Sequence, residues 1–242
     1  ERAFWCARQL LLISAKSLSL ESRCMDTPKF EIETATERVS EARRSDLLAT
    51  PGFGRLFTEH MVQVRWSEAR GWHSPRVCPY QALSLQPSES VLHYGQSIFE
   101  GLKAYRRPDG HVVTYRIDDH ARRFQSSGRR MAMPELPVEL FIEGVHSLIR
   151  QDVAWVPHQP GHTLYIRPTM IGTEPFLGVK PAASYLFFVI ASPSGDYFPN
   201  GVQPVSVWVE RTYVRASPGG TGAAKAAGNY GASLLAQQHA NK

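Results

Sequence analysis

One lysine of this sequence lies among residues with almost no side chain, in the stretch "GGTGAAKAAGNYGASLLAQQ" (219–238). Lys225 is flanked by Ala224 and Ala226, whereas the lysine of a phosphate-binding P-loop follows a glycine and precedes serine or threonine. The stretch also lacks the third glycine of a dinucleotide-binding fingerprint. Small neighbours leave room for a planar group beside the amine, as in the Schiff base that lysine forms with pyridoxal 5'-phosphate. A flexible loop with a solvated lysine is the competing interpretation.

Strands that could position this lysine are predicted along the preceding chain. Alternating apolar and polar residues predict a half-buried strand over 60–66, and a Pro-Asp-Gly turn predicts a hairpin that continues as a strand over 111–116. Aromatic and β-branched residues predict buried strands over 163–171 and 185–192. A further strand is predicted over 205–210.

Helices are predicted between these strands. One is predicted over 119–133, because Asp118 or Asp119 can act as its N-cap and Pro134 ends it. Another begins at Pro137, and a last helix occupies 228–240. Strands interleaved with helices predict a mixed α/β (α+β) fold.

Composition excludes several classes of protein. With 242 residues, 43% of them hydrophobic and 20% charged, the chain is expected to be a soluble globular protein. Its net charge of +5 comes from scattered residues, which argues against a nucleic-acid partner, and no segment is long and apolar enough to predict a membrane partner. The three cysteines, Cys6, Cys24 and Cys78, fit neither a disulfide framework nor a zinc cluster, so no metal site is predicted and a reducing compartment is expected.

Four stretches together closely resemble the branched-chain amino acid aminotransferases, which are fold type IV pyridoxal-phosphate enzymes. They are "LHYGQSIFEGLKAYRRPDG", "LYIRPTMIGTEPFLGV", "GDYFPNGVQPVSVW" and "GGTGAAKAAGNYGASLLAQ", in the order and with the spacing of that family, and the similarity extends from about Phe30 to the end of the chain. The resemblance implies transfer of the amino group of L-leucine, L-isoleucine or L-valine to 2-oxoglutarate. It also implies pyridoxal 5'-phosphate as the cofactor.

The resemblance assigns roles residue by residue. Lys225 is implied to form the Schiff base and to move a proton from the substrate Cα, Arg123 to bind the cofactor phosphate, and Tyr230 to hydrogen-bond the ring oxygen. The substrate-binding residues are implied to be an aromatic pocket, an arginine for the second carboxylate of glutamate, and a tyrosine lent by a partner subunit. The aromatic pocket consists of Phe57, Phe99, Tyr165 and Tyr197. The arginine is Arg167, and the tyrosine lent by the partner subunit is Tyr94.

The domain division combines the composition of the chain with the resemblance. We expect a non-native or disordered leader over 1–24, a smaller N-terminal α/β domain over 25–195, a linker over 196–204, and the start of a larger C-terminal cofactor domain over 205–242. The chain is therefore expected to be a fragment that by itself is inactive. The full-length protein is expected to be a homodimer in the cytoplasm, with the mitochondrion as the alternative because arginine and serine are scattered through the first residues.

Three other functions stay open at this stage. D-amino acid aminotransferases and aminodeoxychorismate lyases share the fold and the lysine, although "FEGLKAY" and "GDYFPNG" fit them less well. A non-catalytic binding protein is the third, because the chain is expected to be a fragment without the C-terminal part of the family.

Overall fold

The computed structural model of the chain describes residues 29–196, 198, 201 and 203–241. Its strands belong to one sheet and are β1 (Glu31–Ile32), β2 (His60–Ser67), β3 (Gly71–Pro79), β4 (Ser97–Phe99), β5 (Leu102–Arg106), β6 (Val112–Thr114), β7 (Thr163–Gly172) and β8 (Ser184–Ser194). The α-helices are α1 (Glu41–Ala49), α2 (Ser90–Tyr94), α3 (Ile117–Arg130), α4 (Val138–Gln151), α5 (Ala227–Gly231) and α6 (Leu234–Ala240). The expected leader over 1–24 lies outside the described residues.

The sheet has the strand order β1-β3-β2-β8-β7-β5-β6, and β4 also pairs with β7. Apart from the parallel β1–β3 pair, the neighbouring strands are antiparallel. Helices α3 and α4 pack against one face of the sheet, where Phe124, Phe141 and Phe187 are almost wholly buried and their ring centroids lie 5.4–6.1 Å apart. The apolar core therefore lies between this face and the two helices.

Strand β7 explains how the other face becomes available for a site. Leu164, Ile166 and Met170 are fully buried toward the core, while the alternate residues Tyr165 and Arg167 are only partly buried. Successive side chains of a strand point to opposite faces, so Tyr165 and Arg167 lie on the face away from the helices. The strands expected over 60–66, 163–171 and 185–192 are confirmed.

Strand β2 is more buried than its alternating sequence suggested, because its polar residues have partners inside the protein. His60 is fully buried, and its Nε2 accepts a hydrogen bond from the backbone N–H of Ala35 at 2.9 Å. Its proton therefore lies on Nδ1, which donates to Asp152 Oδ1 at 2.6 Å. The other oxygen, Oδ2, accepts the His60 backbone N–H at 3.0 Å. Glu59 could offer a ligand atom within 4.8 Å of those of His60 and Asp152, but both imidazole nitrogens already have partners, so we interpret the group as structural.

The predicted limits of the first long helix were wrong at both ends. Helix α3 begins at Ile117, which is buried in the core, and its N-cap is Arg116 in a left-handed conformation (φ 53°), so Asp118 and Asp119 lie within the first turn. The helix ends at Arg130, before Pro134, because Ala132 also takes a left-handed conformation (φ 51°). Core packing and backbone geometry thus overrode the capping pattern.

The last part of the described chain also differs from expectation. No strand forms over 205–210, where Val207 and Val209 are 78% and 70% exposed, because no strand of the described residues pairs with this segment. The predicted helix over 228–240 is divided into α5 and α6, where Ser233 Oγ donates to the carbonyl of Tyr230 at 2.8 Å and competes with regular helical bonding. Strand β8 includes Pro193, which pairs with Leu164, and ends at Ser194, before the expected linker over 196–204.

Two remaining sequence expectations concern cysteine and membranes. Cys78 is a free, buried thiol of β3, and burial raises its pKa, so it is a poor nucleophile. Helices in the described part of the chain are too short or too polar to cross a bilayer.

The Asp152 carboxylate supports the packing of α4 against β2, and its removal should be costly. Asp152→Ala leaves two buried donors of His60 without an acceptor, so we expect the free energy of unfolding to fall by roughly 1–3 kcal/mol for each donor. The measurement is denaturant unfolding. The matched control is Asp109→Ala, which removes a 44% exposed carboxylate that pairs with Arg107, and it should change stability by less than about 1 kcal/mol. Equal effects of the two substitutions would contradict the structural role of Asp152.

Candidate active site

The backbone of Lys225 is fixed to strand β4 and helix α3. Its carbonyl accepts the backbone N–H of Phe99 at 3.0 Å, next to an isolated antiparallel bridge between Ile98 and Ala226. Its own N–H donates to Ser127 Oγ at 3.0 Å. In this antiparallel register Lys225 is opposite Phe99, so the two side chains share one side of the strand pair. The lysine is therefore not part of a flexible loop.

Asn229 shapes the loop that precedes helix α5. Its side chain is buried, and its Nδ2 donates to the carbonyls of Thr221 and Ala224, both at 2.8 Å. The Thr221 hydroxyl donates back to Asn229 Oδ1 at 2.6 Å. Arg130 Nη2 of α3 binds the carbonyls of Gly219 and Gly220 at 3.0 and 3.1 Å. These bonds hold the glycine-rich stretch in one conformation.

The amine of Lys225 lies between a hydroxyl and an aromatic ring. Lys225 Nζ is 2.9 Å from the Tyr230 hydroxyl and 4.7 Å from the centroid of the Phe99 ring. The rings of Phe99 and Tyr230 have centroids 4.9 Å apart. On either side of the lysine, Ala224 and Ala226 are buried. The amine thus has a fixed direction and a partner that can exchange a proton with it.

Arg167 lies over the same ring as the lysine. Its Cζ is 4.4 Å from the Phe99 centroid and 5.3 Å from that of Tyr165, and its Nη2 donates to the Tyr165 hydroxyl at 2.8 Å. Its Nε is buried and makes no hydrogen bond with any described residue. Phe57 joins Tyr165 and Arg167 in the wall of a cavity of about 250 Å³, which is also lined by Phe53, Gly54, Ile190, Ala191 and Ser192. Three of the predicted substrate-binding residues, Phe57, Tyr165 and Arg167, therefore line one cavity.

Arg123 of α3 has a carboxylate partner. Its Nε and Nη2 donate to the two oxygens of Glu100 at 2.6 and 2.7 Å. These bonds, and to a smaller extent the Tyr230 hydroxyl, raise the pKa of Arg123. His120 Nδ1 lies 2.9 Å from the same carboxylate. The resemblance implies that Arg123 binds the cofactor phosphate, but its Glu100 partner was not expected.

Two of the expected substrate residues are not joined to this cluster. Tyr94, at the end of α2, is 42% exposed and its ring contacts His93, with centroids 6.1 Å apart. That exposure is compatible with the expected contact to a partner subunit. Tyr197 lies outside the described residues.

Sequence reasoning missed three residues that the site depends on. Glu100 and Gly101 lie inside the quoted "FEGLKAY" stretch but had no role, and Phe53 was not considered. The Phe53 and Tyr165 rings meet edge to face, with centroids 5.3 Å apart. A side chain at Gly101 would overlap the Tyr165 hydroxyl. The available signal was a glutamate in the short connection between two predominantly apolar segments, because a buried charge requires a partner.

Curated relatives of this chain are aminotransferases. A "Probable branched-chain-amino-acid aminotransferase" of Streptomyces coelicolor is 57% identical over 217 residues, which is 89% of this chain and 60% of that protein. The "Branched-chain-amino-acid aminotransferase, cytosolic" of Mus musculus is 44% identical over 223 residues, 86% of this chain and 58% of that protein. The chain thus spans about three fifths of the length of these relatives. No family model matches the sequence.

Solved structures show the fold. The branched-chain aminotransferase from Thermoproteus uzoniensis with norvaline has a TM-score of 0.55 at 21% identity, covering 74% of this chain and 56% of that one. The branched-chain amino acid aminotransferase from Escherichia coli has a TM-score of 0.52 at 24% identity, covering 74% and 52%. A third neighbour, a branched-chain amino acid aminotransferase complexed with N-(5'-phosphopyridoxyl)-L-glutamate, has a TM-score of 0.56 at 23% identity, covering 76% and 55%. The mixed α/β fold is that of fold type IV aminotransferases, as the sequence predicted.

The position of the Tyr165 ring leaves no space for a side chain at residue 101. A Cβ at Gly101 would lie 2.2 Å from the Tyr165 hydroxyl, so Gly101→Ala should displace that ring and break its bond with Arg167. We expect a loss of about 1–3 kcal/mol in the free energy of unfolding. A crystal structure should show the tyrosine moved. The control, Gly195→Ala, places its Cβ at ordinary contact distances of 3.8 Å and should have little effect. An unmoved Tyr165 in the first variant would refute this account.

Proposed function

Because the chain belongs to the branched-chain aminotransferase family, we propose that the protein containing it moves the amino group of L-leucine, L-isoleucine or L-valine to 2-oxoglutarate. The observation that carries the proposal is the shared Phe99 ring. The amine of Lys225 lies on it at 4.7 Å and the guanidinium of Arg167 at 4.4 Å. A nucleophilic amine and a carboxylate-binding group therefore lie beside one aromatic wall.

The residues present fit pyridoxal 5'-phosphate. When bound, this cofactor supplies an aldehyde that condenses with an amine and a ring that accepts electrons from the substrate Cα. Lys225 offers the amine, Tyr230 a hydroxyl for a ring oxygen, and Arg123 a guanidinium for a phosphate. A Cβ at Gly228 or Gly231 of α5 would meet no atom within 4 Å, so space is open along the helix that carries Tyr230.

Proton transfer is the proposed task of Lys225. Its Nζ is held by one hydrogen bond to the Tyr230 hydroxyl, which orients the amine without enclosing it. The backbone bonds to Phe99 and Ser127 fix the start of the side chain. The amine can therefore take a proton from a substrate Cα and return it from one position.

The cavity beside Arg167 supports the proposed substrate range. Its wall of Phe53, Phe57 and Tyr165 suits branched aliphatic side chains, whose burial stabilises binding by about 1.5–3 kcal/mol. One methylene changes binding in such a pocket by about 1–3 kcal/mol, so the efficiencies with the three aliphatic substrates should differ by no more than about 10–200-fold. Arg167 at the same wall provides a charge for the second carboxylate of glutamate or 2-oxoglutarate.

The proposal includes a homodimer. The exposed ring of Tyr94 is available to complete the pocket of a second copy. For the location we propose the cytoplasm, in agreement with the name of the mouse relative, which calls that protein cytosolic.

The deciding experiment is an amino-transfer assay of the full-length gene product with added pyridoxal 5'-phosphate. Transfer from L-leucine to 2-oxoglutarate is expected. Transfer only from D-alanine would point to the D-amino acid aminotransferases of the same fold. No transfer, together with no imine absorbance, would support a non-catalytic binding protein instead.

Lys225→Ala should abolish covalent cofactor binding. Borohydride reduction and peptide mapping should place the adduct on Lys225 in the unchanged protein and find none in the variant. Turnover should fall by at least about 10²–10⁴-fold because the proposed general base is lost. The matched control is Lys180→Ala, which removes a 45% exposed ammonium paired with Glu174 and should leave turnover unchanged. An adduct on Lys180 or Lys103 would show that the site is misassigned.

Arg167→Met should separate the two substrate classes. Loss of the guanidinium removes one charge-assisted hydrogen-bonding group, so the KM for 2-oxoglutarate should rise about 10–100-fold. The KM for L-leucine should change much less, because its side chain needs only the aromatic wall. Tyr165→Phe removes only the hydroxyl that binds Arg167 Nη2 and should have a smaller effect on 2-oxoglutarate. Parallel loss for both substrates would mean that Arg167 supports the fold rather than specificity.

A further inference from the structure

Glu100 is a fully buried carboxylate with four polar contacts on its two oxygens. Its side chain has no exposed surface. Oε1 accepts Arg123 Nε at 2.6 Å. Oε2 accepts Arg123 Nη2 at 2.7 Å and the backbone N–H of Gly101 at 3.3 Å, and lies 2.9 Å from His120 Nδ1. Arg123 and His120 are one turn apart on α3, so a single carboxylate joins that helix to the sheet.

The strand register explains why this carboxylate points toward the helix. Phe99 is opposite Thr169 in the β4–β7 pair, and Leu102 is opposite Ile166 in the β5–β7 pair, so one register passes through both. Glu100 therefore lies opposite Pro168, whose carbonyl accepts its backbone N–H at 2.8 Å. Since strand side chains alternate, Glu100 points to the core face and Phe99 to the site face.

The hydrogen bonds with Glu100 use one edge of the guanidinium. Nε and one proton of Nη2 are taken, and Nη1 makes no hydrogen bond within the described part of the chain. A planar guanidinium held along one edge has its other edge fixed in direction. Arg123 is thus oriented before any anion reaches it, although its side chain is 53% exposed.

We propose that Glu100 is a positioning residue that aims the Nη1 edge of Arg123 at the cofactor phosphate. The proposal rests on the proposed function, since it needs a phosphate at Arg123. Glu100 also lies between two residues of the site. The preceding residue, Phe99, contacts Lys225 and Arg167 through its ring, and the following residue, Gly101, leaves room for the Tyr165 hydroxyl.

Charge and geometry make opposite predictions for Glu100. A carboxylate beside a phosphate-binding arginine lowers the positive electrostatic potential at the phosphate. If this potential alone determined the affinity, neutralising Glu100 should tighten phosphate binding. If orientation decides, neutralisation should weaken binding, because the amide of glutamine offers one acceptor oxygen where the carboxylate offers two. Glu100→Gln distinguishes the two. Glu100→Asp keeps the charge but is shorter by one methylene, so it should release Arg123 as well.

The test compares pyridoxal 5'-phosphate with pyridoxal, which has the aldehyde but no phosphate. Dissociation constants of both are measured by absorbance with the cofactor-free full-length protein. Glu100→Gln and Glu100→Asp should each weaken binding of pyridoxal 5'-phosphate by at least about 10-fold. Pyridoxal binding should stay nearly unchanged. In an Arg123→Met background, Glu100→Gln should have little further effect, because the residue it positions is gone.

Each other outcome overturns the inference. If the variants bind both compounds equally more weakly, or if circular dichroism shows that neither variant folds, Glu100 contributes to stability alone. If Glu100→Gln binds pyridoxal 5'-phosphate more tightly, the effect of Glu100 is electrostatic. The matched control is Glu59→Gln, because the Glu59 carboxylate is only 10% exposed and accepts the Val39 N–H. An equal loss of affinity for pyridoxal 5'-phosphate in this control would show that removing any buried carboxylate weakens binding. An unchanged protein that binds pyridoxal but shows no preference for its phosphate overturns the inference while leaving the proposed function standing. One that binds neither overturns the proposed function.

Discussion

The arrangement of this site depends on one backbone hydrogen bond, from the N–H of Phe99 to the carbonyl of Lys225. It joins a lysine near the end of the described chain to a strand more than a hundred residues earlier. It places the backbone of Lys225 beside that of Phe99, so that the amine contacts the Phe99 ring and binds Tyr230 at a fixed position on the sheet. The buried Asn229 and the Ser127 hydroxyl support the same junction, because each satisfies a backbone group of the loop.

Three consecutive residues beside this junction, Phe99 to Gly101, have different roles on the two faces of the sheet. Phe99 faces the site and holds both cations, Glu100 faces the helices and holds Arg123, and Gly101 has no side chain where the Tyr165 hydroxyl lies. The period of two in a strand makes this division possible, since adjacent residues can serve opposite faces at one level. A shift of the register by one residue would exchange the faces and remove the site.

The features that could be predicted from the sequence are those that local pattern determines. Strands β7 and β8 and the isolated lysine are visible in composition and alternation. The segment 205–210 has the same composition but no strand partner among the described residues, so the pattern alone misled. The partner of Arg123 could not be found either, because Glu100 is 23 residues distant and becomes its neighbour only when α3 packs on the sheet. Which of several neighbouring arginines binds a carboxylate is decided by packing.

Arg167 shows how one pocket can suit both apolar and charged substrates. Its guanidinium is stabilised by the Phe99 and Tyr165 rings rather than by a carboxylate, and its Nε makes no hydrogen bond with any described residue. An unpaired buried donor is a cost that the protein already bears before substrate arrives. An aliphatic side chain leaves that cost unchanged, whereas a carboxylate that reaches the guanidinium relieves it. The proposed dual specificity therefore needs no rearrangement of the aromatic wall. It needs only the Arg167 guanidinium, for which the carboxylate of the acidic substrate is the partner.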